Sequence, residues 1–251
     1  MKEKLYTIPV SEGFETTDEC PFCAMERTEE QRAIRYFAGP GASYMEPDVR
    51  ASTDKAGFCG VHMKKLYDYG NALGCALMLQ TYYAGLLEEM QAQLEDYDLP
   101  PQKGLFTKKR PQAEETPYWQ RLRERVCSCA VCEKVDYNME RYLETFFYLL
   151  KEPEFRTKAE NCKGFCMRHF SQLLETAEVH LANGQREWFC RTVPSLMLQN
   201  MARVKEDLDW MVAKYDYRNA STPWGNSRDA LQRSMQKLQG IYPADPPYKN
   251  E

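Results

Sequence analysis

Two short cysteine motifs, each occurring twice and in the same order, constrain this chain more than any other feature. "CPFC" (Cys20, Cys23) is followed 35 residues on by "GFCGVH", which supplies Cys59 and His62. "CAVC" (Cys129, Cys132) is followed 33 residues on by "GFCMRH", which supplies Cys166 and His169. Between the motifs lie "EPDVR" (Glu46 to Arg50) and "EPEFR" (Glu152 to Arg156); beyond them come a Gly/Asn break, "YGN" or "ANG", and then "LMLQ". Ordered landmarks of this kind predict an internal duplication, two tandem homologous modules.

Each linear half therefore offers three thiols and one imidazole. Four such ligands close the tetrahedral shell that structural zinc requires. The expected sites are one per half: Cys20, Cys23, Cys59 and His62 in the first, and Cys129, Cys132, Cys166 and His169 in the second. Phe-Cys-x-x-His ahead of an apolar-periodic stretch predicts that Cys59/His62 and Cys166/His169 open helices, where the N-terminal dipole favours thiolate. Gly57 and Gly164 permit the tight turn leading in. Three thiolates and an imidazole also suit an iron–sulfur cluster, which is the alternative cofactor. Cys127 and Cys162 have no counterparts in the first half and read as spares; Cys75 and Cys190 read as core, and His180 as a helix cap.

No catalytic residue is expected. A dithiol oxidoreductase places C-x-x-C on a strand-to-helix turn, and no strand pattern precedes Cys20. Hydrolytic zinc keeps an open coordination position, whereas each set here is full. "GPGAS" (Gly39 to Ser43) lacks the Lys-Ser/Thr of a phosphate loop. The paired acids Glu29/Glu30 and Glu88/Glu89 read as solvated helix faces.

The fold expected is all-α, with long antiparallel helices. "MLQNMARVKEDLDWMVAKY" repeats apolar residues from Met197 to Tyr215 in alternating steps of four and three, and Leu79 to Tyr97 does likewise. Pro47 and Pro153 fit first turns, and Pro194 suggests a helix restart or kink. The boundaries drawn are a first repeat over 1–98, a Pro/Lys/Gln-rich linker over 99–126, a second repeat over 127–217, and a C-terminal helix with an extended tail over 218–251.

A net charge of −4 over 251 residues gives no basis for binding nucleic acid or an acidic membrane surface. No apolar run reaches membrane-spanning length and no signal-peptide pattern opens the chain. Ten cysteines without an export signal point to reduced thiols in the cytoplasm.

The order C-P-x-C, charged helix, E-P-x-x-R and G-F-C-x-x-H resembles an uncharacterised bacterial and archaeal family of unknown function. Some of its members are mislabelled as ABC-transporter substrate-binding proteins. The resemblance runs from about Cys20 to Leu238 and implies no established activity. The function expected from the residues is a zinc-stabilised module that engages a protein partner. The alternatives are an iron–sulfur or thiol redox protein, and an enzyme with a pocket between the two modules.

Overall fold

The structure, a computed structural model, describes residues 6–41, 43–95, 97 and 117–243, and every regular element among them is helical. Four helices precede the longest element of the first half: α1 (Thr7–Gly13), α2 (Pro21–Ala38), α3 (Pro47–Ala56) and α4 (Gly60–Tyr69). That element is α5 (Ala72–Leu94), followed by α6 (Tyr118–Cys127) and α7 (Ala130–Leu149). α8 (Pro153–Asn161), α9 (Met167–His180), α10 (Arg186–Ala213) and α11 (Ala230–Gln239) complete the order. No described helix is long and apolar enough to cross a membrane.

Local chemistry explains most of the boundaries. Pro47 and Pro153 sit in the first turns of α3 and α8, where a missing N–H costs least. Gly70, at φ 93°, closes α4 in the left-handed region, and the Asn71 side chain then caps α5 by accepting from the Gly74 N–H. The repeated arginines also behave alike. Arg50 Nη1 donates to the Tyr44 carbonyl at 3.3 Å and Arg156 Nε to the Leu150 carbonyl at 2.5 Å, each six residues upstream.

The described residues fall into two compact units that do not follow the linear halves. One gathers those of Met1–Glu30 with those of Val135–Pro246; the other gathers those of Gln31–Lys134. The divides lie inside α2 and α7, and both expected boundaries, at 98 and at 127, fall within the span of the second unit. Of the expected linker, residues 118–126 belong to helix α6, which ends at Cys127 of the expected second repeat, and the remainder lies mostly outside the described residues. Most of the expected extended tail lies outside them as well.

The first unit is built around phenylalanines. Phe14 packs against Phe22, Phe146, Phe155 and Phe165 with ring centroids 5.1–6.4 Å apart. Each such contact adds about 0.5–1.5 kcal/mol beyond the area buried. Phe22 comes from "CPFC" and Phe165 from "GFC", so the motif residues between the cysteines are core anchors. In the second unit the corresponding "GFC" residue, Phe58, meets Phe37 at 5.8 Å, and Val131 of "CAVC" is fully buried.

Three expectations are corrected here. α10 continues through Pro194 without restarting. Burial of Phe189, Val193, Leu196 and Met197, at about 1.5–3 kcal/mol each, outweighs the roughly 3 kcal/mol an internal proline costs. Glu29 is not on a solvated face. It is buried, and it accepts hydrogen bonds from Asn138 Nδ2 and the Tyr142 hydroxyl, both at 2.7 Å. Cys190 lies on the exposed side of α10, and Cys75 is only half-buried on α5.

α11 inverts the usual amphipathic arrangement. Its buried residues are Ala230, Arg233, Gln236 and Lys237, whereas Leu231, Met235 and Leu238 are close to half exposed. The polar face turns inward because it meets charge: Glu19, only 2% exposed, lies 3.3 Å from Lys237 Nζ and 2.5 Å from Arg203 Nη2. Arg233 pairs in turn with Asp207 and Asp229, each at 2.9 Å.

Candidate metal centres

All four pairs, two Cys–Cys and two Cys–His, occupy the same local geometry. Cys20, Cys59, Cys129 and Cys166 each immediately precede a helix, α2, α4, α7 and α9 respectively. The carbonyl of each closes the first turn, accepting from the N–H four residues on at 3.3, 2.9, 3.0 and 2.8 Å. The second member of each pair, Cys23, His62, Cys132 or His169, then stands one turn in, on the same side. Four helix N-termini thus carry four pairs of donors, and their positive dipole ends favour thiolate. Pro21 is the first residue of α2, so the proline of "CPFC" serves helix initiation. Ala130 holds that place in "CAVC", and its N–H donates to the Gly57 carbonyl at 2.9 Å, tying one motif to the other.

The pairs assemble across the linear halves. Cys20 and Cys23 gather with Cys166 and His169; Cys59 and His62 gather with Cys129 and Cys132. All eight expected residues are used, but the grouping of one complete set per half is corrected. The physical cause is the division of α2 and α7 between the two compact units. The start of α2 lies in the unit that contains α9, and the start of α7 in the unit that contains α4.

The dimensions suit a single ion. Within each group the four donor atoms lie within 4.8 Å of one another. In the first group His169 Nδ1 lies 3.5, 3.4 and 3.3 Å from the sulfurs of Cys20, Cys23 and Cys166, and Cys23 lies 3.6 Å from Cys166. In the second, His62 Nδ1 lies 3.3, 3.2 and 3.3 Å from the sulfurs of Cys59, Cys129 and Cys132. An ion about 2.3 Å from sulfur and about 2.0 Å from nitrogen gives tetrahedral edges of roughly 3.5–3.8 Å.

The electrostatics call for a cation. The Cys166 thiol is held low by hydrogen bonds with Cys20 and Cys23, while Cys23 is pushed up by Cys166, then Cys20, then burial. Cys129 shows the same competition: burial opposes its ionisation, but the His62 ring and the backbone of Cys132 and Cys59 win, bringing it down to about 6. Burial, and then the charge of Cys129, push Cys132 up. Burial pulls His169 down, yet Cys166 and Cys20 outweigh it and raise the imidazole to about 10. Like charges this close oppose one another. A divalent ion would neutralise the thiolates.

The first group has further support. The carboxylate of Glu26 lies 3.7 Å from His169 Nε2 and is itself clamped by Arg168, whose Nη1 donates at 2.7 Å. At that distance the carboxylate acts on the imidazole through its charge and not through a hydrogen bond. Gly240, at φ 79°, closes α11 against this group. A Cβ there would stand 3.4 Å from the sulfurs of both Cys23 and Cys166. All four donors are buried, whereas in the second group Cys59 and Cys132 are only partly so.

Neither Glu26 nor the inward face of α11 was apparent in the sequence. The only available signal was the i, i+4 spacing of Arg233 and Lys237, which also fits a solvated face. Cys75, Cys127, Cys162 and Cys190 join neither group, and His180 stands half-exposed at the end of α9, 3.8 Å from Glu144.

No curated protein and no solved structure matches this chain. A family model matches residues 1–245, and on that match the chain belongs to a family of unknown function, DUF6062.

Proposed function

We propose that the protein is a zinc-stabilised helical interaction module, with one structural zinc in each Cys3His group and no catalytic metal. The observation that carries this reading is the closed, four-donor geometry of both groups, with every ligand atom within 4.8 Å of the others. A polynuclear iron–sulfur cluster places its outer ligands on different irons and spreads them further apart, so the spacing favours a single ion. Four protein donors leave no position for substrate, which separates these sites from hydrolytic zinc. Thiolate ligands need a reducing compartment, and the cytoplasm meets that need.

Elemental analysis of natively purified protein is expected to return about two zinc per chain, with no visible absorption and no acid-labile sulfide. Fewer than one zinc, or a brown protein containing sulfide, would overturn the reading. Removing the metal should unfold much of the chain, since structural zinc contributes about 10–16 kcal/mol to folding.

Release under a chelator should be biphasic. Cys59 and Cys132 are partly open while all four donors of the other group are buried, so the faster phase belongs to the second group. Alkylation with mass mapping should label Cys59 and Cys132 in that phase. Labelling of Cys20 or Cys23 first would contradict this.

A further inference from the structure

α5 presents an apolar seam that the described residues of its own unit leave exposed. Its inward side is settled: Gly74 and Met78 are buried, Thr81 donates to Asp54 and accepts from Arg50 Nε, and Glu89 pairs with Arg125. The opposite side repeats with a period of 3.5 residues. One row, at heptad position a, is Leu73, Gln80, Leu87 and Leu94; the other, at d, is Ala76, Tyr83, Met90 and, just beyond the helix, Tyr97. Leu73 and Tyr83 are each 68% exposed, Leu87 57%, Tyr97 51% and Leu94 44%. A shallow groove of about 630 Å³, lined by Leu87, Met90, Gln91, Leu94 and Glu95, runs along its C-terminal part.

This seam has the form of a coiled-coil half. Its flanking e and g positions are Leu77, Ala84 and Gln91, and Leu79, Leu86 and Gln93, with no charge among them to repel a copy of itself. The 23 residues of α5 span about 34 Å, enough for three heptads. We infer that the occupant is a second copy of this chain, with α5 packed in parallel and in register against its two-fold mate. Gln80 selects that partner and direction. A lone amide at an a position of an apolar seam needs another amide at the same level, and only an in-register parallel copy supplies one. The area sets the strength: five exposed side chains, counted on two copies, offer at most roughly 1,100 Å², the low end for a specific interface and the range of a weak dimer. The inference rests on the proposal that the chain is an interaction module and is independent of its metals.

Native mass spectrometry of the full chain reads oligomeric state and metal content in the same ion. At about 100 µM the chain is expected to be a dimer, and Tyr83→Glu with Leu87→Glu should weaken it at least ~100-fold. That variant should keep its metal content and helical circular dichroism, since both residues face outward. Gln80→Leu should tighten the dimer several-fold. Leu73→Cys should form an intermolecular disulfide beyond the background of the parent chain, whose Cys127 and Cys190 are also exposed.

A monomeric wild-type chain, or a dimer indifferent to the double glutamate variant, would overturn the proposal. A dimer that cross-links through Leu87→Cys but not through Leu73→Cys would overturn the parallel register. A metal-free dimer would instead sink only the zinc reading.

Discussion

Replacing Cys59 with serine is expected to cost the chain the zinc proposed for the group of Cys129 and Cys132, on the far side of the sequence, and to leave the one proposed for Cys20 and Cys23 in place. The affinity of the damaged group should fall by roughly 100- to 1,000-fold, about a quarter of the binding energy that four donors share. Pairs of substitutions make the test decisive. Cys59→Ser with Cys132→Ser removes two donors from one group, so one metal per chain remains. Cys59→Ser with Cys23→Ser damages both groups, so none remains tightly bound. Sites confined to the linear halves would give the reverse, and metal counting by mass spectrometry distinguishes the two. Retention of one metal by the Cys23/Cys59 variant would refute the crossed arrangement.

The second large effect is expected at Lys237, a residue far from either cysteine motif. It is 1% exposed, and its ammonium donates to the Glu19 carbonyl at 2.5 Å and to the carbonyl of Lys163. Glu19 leads directly into Cys20, and Lys163 into Gly164, Phe165 and Cys166. One side chain thus ties together the two backbone segments that deliver the first group's donors. Lys237→Met removes this donor from the buried Glu19 carbonyl, the part-buried Lys163 carbonyl and one side of the Glu19 carboxylate, and such losses cost about 3–5 kcal/mol. Denaturant unfolding should register that loss, and chelator competition should show the first group releasing metal 10–100-fold more readily. The second group should not change. Equal weakening of both groups, or of neither, would show that Lys237 is a general stabiliser or dispensable, and not the tie between these segments.

The sequence carried the helical class and the eight donors, because both are written in local patterns. A C-x-x-C or C-x-x-H spacing is a property of one helix turn, and the structure places all four pairs at helix starts. What it did not carry was which pair meets which. That depends on α2 and α7 each being divided between two units, a non-local fact that no spacing encodes. The ordered repeat even misled, since a duplicated pattern reads most simply as two self-contained sites. Glu29 and Lys237 escaped for a related reason. A charged residue at helical spacing reads as solvated unless its distant partner is known, and here the partners are Asn138 and Tyr142 for one and Glu19 for the other.

The crossing of donor pairs has a consequence for how the chain is made. During synthesis Cys20, Cys23, Cys59 and His62 all emerge before the second pair of either group, and together they form a complete Cys3His set with the wrong members. The proper set around Cys59 becomes available only with Cys132, and the one around Cys20 only with His169, roughly 40 residues or about 2–8 s of translation later. A metal ion captured by the nascent first half must therefore exchange ligands before the native arrangement can close. The inner donor set, Cys59 to Cys132, is complete in the emerging chain before the outer one, Cys20 to His169, that encloses it in the sequence.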